Sequence, residues 1–92
     1  MRRDLLAALC EEAGPSGREE RIRALVAPEL EATCTRVAQD PLGGLTGMRD
    51  GTGGPRLMLA AHMDEIGLMV THVDERGYLR FVPLGGWDAR TL

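Results

Sequence analysis

The chain contains no lysine: all 11 of its basic residues are arginine, and 14 acidic residues give it a formal net charge of −3. Aromatic residues make up only 3% of the 92 residues. The mild acidity gives no reason to expect nucleic acid or an anionic membrane as a partner. We therefore predict neither nucleic acid nor a membrane as a partner.

Long apolar runs are also missing from the sequence. No run approaches the roughly 20 apolar residues that cross a bilayer, and the amino terminus lacks the apolar core and cleavage site of a secretory signal. Cys10 and Cys34 form no CxxC pattern, so we expect two reduced, buried thiols and a cytoplasmic protein. A chain of this length supports at most one small domain, which would bury about 60–65% of its unfolded surface.

The first third of the chain has a helical pattern. Leu5, Leu6 and Leu9 share one face of an amphipathic helix that we predict over residues 3–13. Ser16 and Glu19 have the spacing of a capping box, which predicts that a second helix begins at residue 17 and runs to residue 31. Pro28 falls inside this second helix and should kink or shorten its last turn.

The remaining two thirds have the pattern of β-structure. Residues 33–39 and 45–49 predict two short strands, and residues 66–73 and 78–82 flank a polar turn that predicts a hairpin. The unbroken apolar run at 56–61 predicts a central strand that is covered on both faces. Two short helices cannot cover both faces, so the pattern favours the front end of a larger α/β protein over a small chain that oligomerises heavily.

His62 and Asp64 directly follow the predicted central strand, where ligands gather in open α/β sheets. In an extended loop, residues two apart lie on the same side of the backbone, so Asp64 can hold one nitrogen of His62. The other nitrogen is then free to bind a metal. The same spacing also fits a loop histidine that is satisfied by a neighbouring carboxylate without any metal, and both interpretations remain open on spacing alone.

The segment Leu-Ala-Ala-His-Met-Asp-Glu-Ile-Gly at 59–67 resembles the first metal-ligand segment of the M42 family of metallo-aminopeptidases. Other segments agree with this family in order and spacing: Gly-Pro-Ser-Gly at 14–17 followed by two glutamates, Asp-Pro-Leu-Gly at 40–43, Gly-Tyr-Leu-Arg-Phe at 77–81 and Gly-Gly-Trp-Asp at 85–88. The chain departs from the pattern at Gly44, where the family usually has asparagine, and at Ala89, where it commonly has proline. The first departure puts a local hydrogen bond in doubt, though not the metal.

The resemblance implies an α/β fold in two parts. Residues 1–68 would form the amino-terminal portion of a zinc-peptidase-like three-layer catalytic domain, and residues 69–92 would begin an inserted β-rich lid or dimerisation domain. His62 would be a ligand of one metal in a two-metal site that holds zinc or cobalt. Asp64 would be the active-site carboxylate that orients His62. The general base and the remaining ligands lie downstream in the family, so this chain holds at most one metal ligand.

The implied function is that of an amino-terminal fragment of an aminopeptidase, which hydrolyses amino-terminal residues from peptides through a metal-activated water. The full-length protein would be a homo-oligomer, from dimer to dodecamer, and the 92-residue chain alone should be inactive. The alternative is a non-catalytic, stand-alone relic or subunit that binds a full-length relative through an exposed β edge.

Three other residues are candidates for a functional role. Glu65 could act as a general base beside His62, but the family pattern places the base elsewhere and favours a structural role. His72 is more simply an exposed or core imidazole than a metal ligand. Trp87, next to two glycines, is a candidate interface residue.

Overall fold

The computed structural model describes residues 2–88 and 90. Within them the chain forms a small α/β arrangement of two helices and two antiparallel sheets of two strands each. In chain order the elements are α1 (Arg3–Glu11), α2 (Glu20–Thr33), β1 (Arg36–Gln39), β2 (Leu45–Met48), β3 (Gly67–Val73) and β4 (Leu79–Leu84). None of the helices in this part of the chain is long and apolar enough to cross a membrane. The departure at Ala89 lies outside the described residues.

Helix α2 begins at Glu20, three residues later than predicted, and the predicted capping box does not form. The N–H of Arg18 donates to the Pro15 carbonyl at 2.8 Å, and Gly17 has a φ of +81°, so a tight turn occupies the predicted first turn of the helix. The Glu19 carboxylate accepts the Gly17 N–H at 2.6 Å. The helix then continues past Pro28 to Thr33, so the predicted shortening is also wrong.

Strands β1 and β2 confirm the two predicted short strands, and they pair as an antiparallel hairpin with Arg36 opposite Met48 and Gln39 opposite Leu45. The Asp40 carboxylate organises the turn between them, because its Oδ1 accepts the N–H of Leu42 at 2.8 Å and of Gly44 at 2.9 Å. The same turn is tied to α2 by Arg23, whose Nε donates to the Gly43 carbonyl at 2.7 Å.

Gly43 is the residue of this turn that tolerates a side chain least. Its φ is +93°, and a Cβ atom there would lie 2.3 Å from Nη2 of Arg23. We expect Gly43→Ala to lower the free energy of unfolding by about 1–3 kcal/mol, since it adds backbone strain and displaces Arg23.

Chemical denaturation of the purified protein measures this change. Gly51→Ala is the matched control, because a Cβ at Gly51 meets nothing within 4 Å and its φ is not positive. We expect the control to change stability by less than about 0.5 kcal/mol. Equal losses in the two variants would contradict the role assigned to Gly43.

Strands β3 and β4 form the second hairpin and confirm the hairpin predicted from the sequence. The ladder runs from Gly67 opposite Leu84 to Val73 opposite Leu79, with an irregularity at Thr71. Asp74 closes the turn, because its Oδ1 accepts the backbone N–H of two residues, 76 and 78, at 2.8 and 2.9 Å. The predicted hairpin therefore follows from local turn chemistry as well as from its strands.

The predicted central strand at 56–61 is not formed. Leu57, Met58 and Leu59 are 85%, 85% and 87% exposed, and the segment has no strand partner among the described residues. An apolar run becomes a strand only when a neighbouring strand satisfies its N–H and C=O groups, and the sequence pattern cannot show whether that neighbour is present.

The described chain has almost no core of its own, with Ile22 as its one buried hydrophobic residue. Its accessible surface is 8141 Å², about 2,900 Å² more than a compact protein of this mass exposes. It therefore buries only about 44% of its unfolded surface, below the predicted range. Both cysteines are free thiols, but Cys10 is exposed and Cys34 only half-buried, so their predicted burial is wrong.

Candidate functional site

The loop that follows the apolar run forms one wall of an open cavity of about 330 Å³. The facing walls come from helix α2 and from the turn between β1 and β2. The lining residues are Glu19, Val26, Leu30, Leu42, Gly43, Gly44, Leu45, Ala61, His62, Met63 and Asp64. The structure therefore brings both predicted site residues, His62 and Asp64, to the same cavity as the Asp-Pro-Leu-Gly turn.

The His62 ring is held by Asp64 through two contacts. Nδ1 of His62 lies 2.9 Å from the backbone carbonyl oxygen of Asp64 and 3.0 Å from its Oδ1. Neither oxygen can donate when the carboxylate is ionised, so the network assigns the ring proton to Nδ1. In the neutral imidazole, Nε2 then carries the lone pair that binds a metal.

The surroundings of Nε2 suit such a ligand. The His62 side chain is 85% exposed, and Nε2 makes no hydrogen bond within residues 2–88 and 90. In those same residues no group of three or more His, Cys, Asp or Glu side chains is placed to hold a metal ion. A catalytic zinc normally takes three protein ligands. The chemistry fits one imidazole ligand of a larger site, and a complete site would need donors from elsewhere.

Glu65 points to a different part of the molecule. Its Oε1 accepts the Gly14 N–H at 3.0 Å, and its own N–H donates to the Gly14 carbonyl at 2.9 Å. Pro15 and Glu65 form an isolated parallel bridge. The Glu65 side chain does not line the cavity. These contacts favour the structural role of Glu65 over that of a general base.

The remaining candidates lie away from the cavity. His72 is exposed on β3. Trp87 is half-buried, and its indole N–H lies 3.0 Å from the carbonyl oxygens of both Gly67 and Leu84, so it fastens the chain to the base of the second hairpin. Next to it, the Arg90 guanidinium donates to Asp88 and lowers the pKa of that carboxyl.

The departure at Gly44 leaves a backbone hydrogen bond intact, because the Gly44 N–H still donates to Asp40. A Cβ at this position would lie 2.5 Å from Oδ2 of Asp40. An asparagine here would require the Asp40 carboxylate to move.

Two links at the site were not predicted from the sequence: the bond from Arg23 to Gly43 and the pairing of Glu65 with Gly14. Each joins residues that are distant in the chain, and neither leaves a periodic or spacing signal. The only hint for the second was the co-occurrence of the Gly-Pro-Ser-Gly and His-Met-Asp-Glu segments.

Known proteins are similar to this chain in sequence and in fold. The family model for M42 glutamyl aminopeptidase matches residues 43–92, more than half of the chain. A lysyl aminopeptidase of Pyrococcus furiosus is 44% identical over 97% of this chain and 26% of the relative. A glutamyl aminopeptidase of Lactococcus lactis is 38% identical over 92% of this chain and 24% of the relative. The solved aminopeptidase APDkam598 of the archaeon Desulfurococcus kamchatkensis superposes with a TM-score of 0.90 at 40% identity, covering 97% of this chain and 25% of that one.

The fold and its matches thus define an α/β chain that is similar to the amino-terminal part of known aminopeptidases. The chain belongs to the M42 peptidase family, which confirms the resemblance found in its motifs. It spans about a quarter of the length of the curated relatives it matches.

Proposed function

We propose that this chain is the amino-terminal quarter of a metal-dependent aminopeptidase that hydrolyses amino-terminal residues from peptides. The observation that carries the proposal is the His62 ring, whose Nδ1 is held by Asp64 and whose Nε2 is open. Relatives named as aminopeptidases support it. In this proposal residues 1–68 belong to a three-layer catalytic domain, and residues 69–92 begin an inserted β-rich domain.

His62 would be one ligand in a site for two divalent metals, zinc or cobalt. When bound, such metals lower the pKa of a coordinated water and polarise the scissile carbonyl. This chain would contribute by fixing the orientation of the His62 imidazole ring. Asp64 keeps the Nδ1 proton in place and stops the imidazole from rotating, so Nε2 stays directed away from the backbone. In this proposal the general base and the other ligands would come from polypeptide outside these 92 residues.

The proposed substrates are peptides with a free amino terminus. Relatives of similar identity are named for different residues, lysine and glutamate, so a preference for one residue is assigned to regions outside this chain. We also propose a cytoplasmic homo-oligomer, between a dimer and a dodecamer. The second hairpin supports this proposal because Leu68, Met69 and Phe81 are 45%, 50% and 47% exposed.

Removal of the metal tests the proposed activity. We expect a chelator to lower the rate at which the full-length protein releases amino-terminal residues from short peptides by at least about 100-fold, because the water loses its activating ion. Zinc or cobalt should restore the rate, and the isolated 92-residue chain should stay inactive with either ion. Full activity in metal-free protein would contradict the proposal.

The exposed strands also suit the alternative of a non-catalytic subunit, and the mass of the gene product separates the two. An antibody against residues 1–54 would detect it in the source cells. A band several times larger than 10.0 kDa supports the aminopeptidase proposal. A single stable band at 10.0 kDa contradicts it and favours a subunit that binds a full-length relative.

A further inference from the structure

We propose that Glu65 is a positioning residue, which fastens the loop carrying His62 and Asp64 to the turn at residues 14–17. This two-bond link between Glu65 and Gly14 is called the Glu65 latch below. The inference rests on the proposed function, because it assigns the latch the task of holding His62 where its Nε2 can bind a metal.

The Glu65 latch supplies hydrogen bonds that tie a long irregular segment to the rest of the described chain. Residues 51–66 form no strand, and within the described chain they make two hydrogen bonds to residues outside the segment. Glu65 makes both of these bonds, one through its backbone N–H and one through its carboxylate. Since the backbone between His62 and Glu65 is short, fixing Glu65 limits how far the His62 ring can move.

The other end of the latch is itself anchored. A Cβ at Gly14 would lie 2.4 Å from Cγ1 of Ile22, so the turn lies directly against the one buried side chain of the described chain. On the far side, a Cβ at Gly67 would lie 3.0 Å from Cβ of Pro15. The turn is therefore held between α2 and the start of β3. Through the Glu65 latch, this fixed turn also restrains the loop that carries His62.

The hydrogen bond of the Glu65 carboxylate allows a positioning role to be distinguished from a role in acid–base chemistry. Its Oε1 accepts the backbone N–H of Gly14, and neither Gly14 nor Glu65 lines the cavity to which His62 contributes. A neutral amide oxygen can accept the same N–H, whereas it cannot replace a general base or an anionic metal ligand. Glu65→Gln and Glu65→Ala should therefore differ sharply if Glu65 acts through the latch.

The test uses the full-length holoenzyme and measures zinc affinity by competition with a chromophoric chelator, together with kcat and KM. We expect Glu65→Ala to weaken zinc binding by about 10–100-fold, the usual cost of losing a group that orients a ligand, with KM for the peptide unchanged. Glu65→Gln should stay within about threefold of the parent. Glu75→Ala is the matched control and should bind zinc like the parent, since Glu75 is exposed in the hairpin turn and its side chain makes no hydrogen bond to the residues that the structure describes.

Two results would overturn the inference. Glu65→Ala would bind zinc as tightly as the parent if the latch did not position His62. Glu65→Gln would lose as much as Glu65→Ala if the charge of Glu65, rather than its hydrogen bond, were what mattered.

Hydrogen exchange keeps the inference testable if Glu65→Ala does not fold. In the parent, the amides of Gly14 and Glu65 should exchange more slowly than those of Gly51 and Thr52, and equal rates would refute the latch. A parent that neither binds zinc nor cleaves peptides would instead refute the proposed function. The positioning role would then fail with it, whatever the exchange rates show.

Discussion

Replacement of His62 by alanine in the full-length protein is expected to lower kcat/KM for peptide hydrolysis by about 1,000-fold or more. Loss of a group that only orients a metal ligand typically costs about 10–100-fold, and loss of the ligand itself costs more. His62 offers a single nitrogen, Nε2, because Asp64 occupies the other. Alanine leaves no donor atom, so zinc affinity should fall together with the rate.

Variants of Asp64 should have smaller effects, and the order of the effects is informative. Asp64→Asn keeps a side-chain acceptor for Nδ1, and the backbone carbonyl 2.9 Å away is unchanged, so we expect a loss of about 10-fold. Asp64→Ala removes the side-chain contact and should approach a 100-fold loss. Asp64→Ala would exceed His62→Ala only if Asp64, not His62, were the metal ligand.

His72→Ala is the matched control for His62→Ala, since it removes the other histidine of the chain. His72 is exposed on β3 and does not line the cavity, so its replacement should leave kcat/KM within about twofold of the parent. Equal losses at the two positions would contradict the assignment of His62. Undiminished zinc binding in His62→Ala would contradict it as well.

The sequence predicts the parts of this structure that local chemistry determines. The second hairpin follows from the Asp74 turn, whose carboxylate bonds to backbone N–H groups two and four residues later. The contact between His62 and Asp64 follows in the same way, because two residues of spacing place both side chains on one side of an extended loop. The metal-binding role of His62 remains a prediction.

Features that depend on distant residues, or on a choice between two local hydrogen-bonding patterns, could not be predicted from the sequence. Ser16 has correct capping-box spacing, but a turn closed by Arg18 and Pro15 displaces the start of α2. The Glu65 latch joins residues 51 positions apart and has no periodic signal. The run at 56–61 has the composition of a buried strand, but composition gives only the preference of the side chains and cannot supply the hydrogen-bonding neighbour.

The described chain exposes much more surface than a compact protein of its mass. About 2,900 Å² of excess surface is comparable to what one partner contributes to a large, permanent interface. The radius of gyration is 17.6 Å, against about 12 Å for a compact chain of this length. Such a surface fits a chain whose strands are completed by further polypeptide, as the proposed aminopeptidase requires.

The substitution Leu59→Asp tests whether further polypeptide covers residues 56–61. In the proposed full-length protein, residues 56–61 pair with neighbouring strands and Leu59 is buried. An unpaired carboxylate there should cost about 4 kcal/mol or more, enough to remove most of the soluble, folded protein. In the isolated 92-residue chain, Leu59 is 87% exposed, so the same substitution should change little.

The soluble yield and the denaturation midpoint, measured for both lengths of chain, check this difference. Thr52→Asp is the matched control, because it introduces the same charge in an exposed loop of the same irregular segment, and it should change stability by less than about 0.5 kcal/mol at either length. A full-length Leu59→Asp protein as stable as its parent would mean that the run at 56–61 stays in water. The second candidate function, a subunit that binds a partner through this exposed segment, would then gain the stronger support.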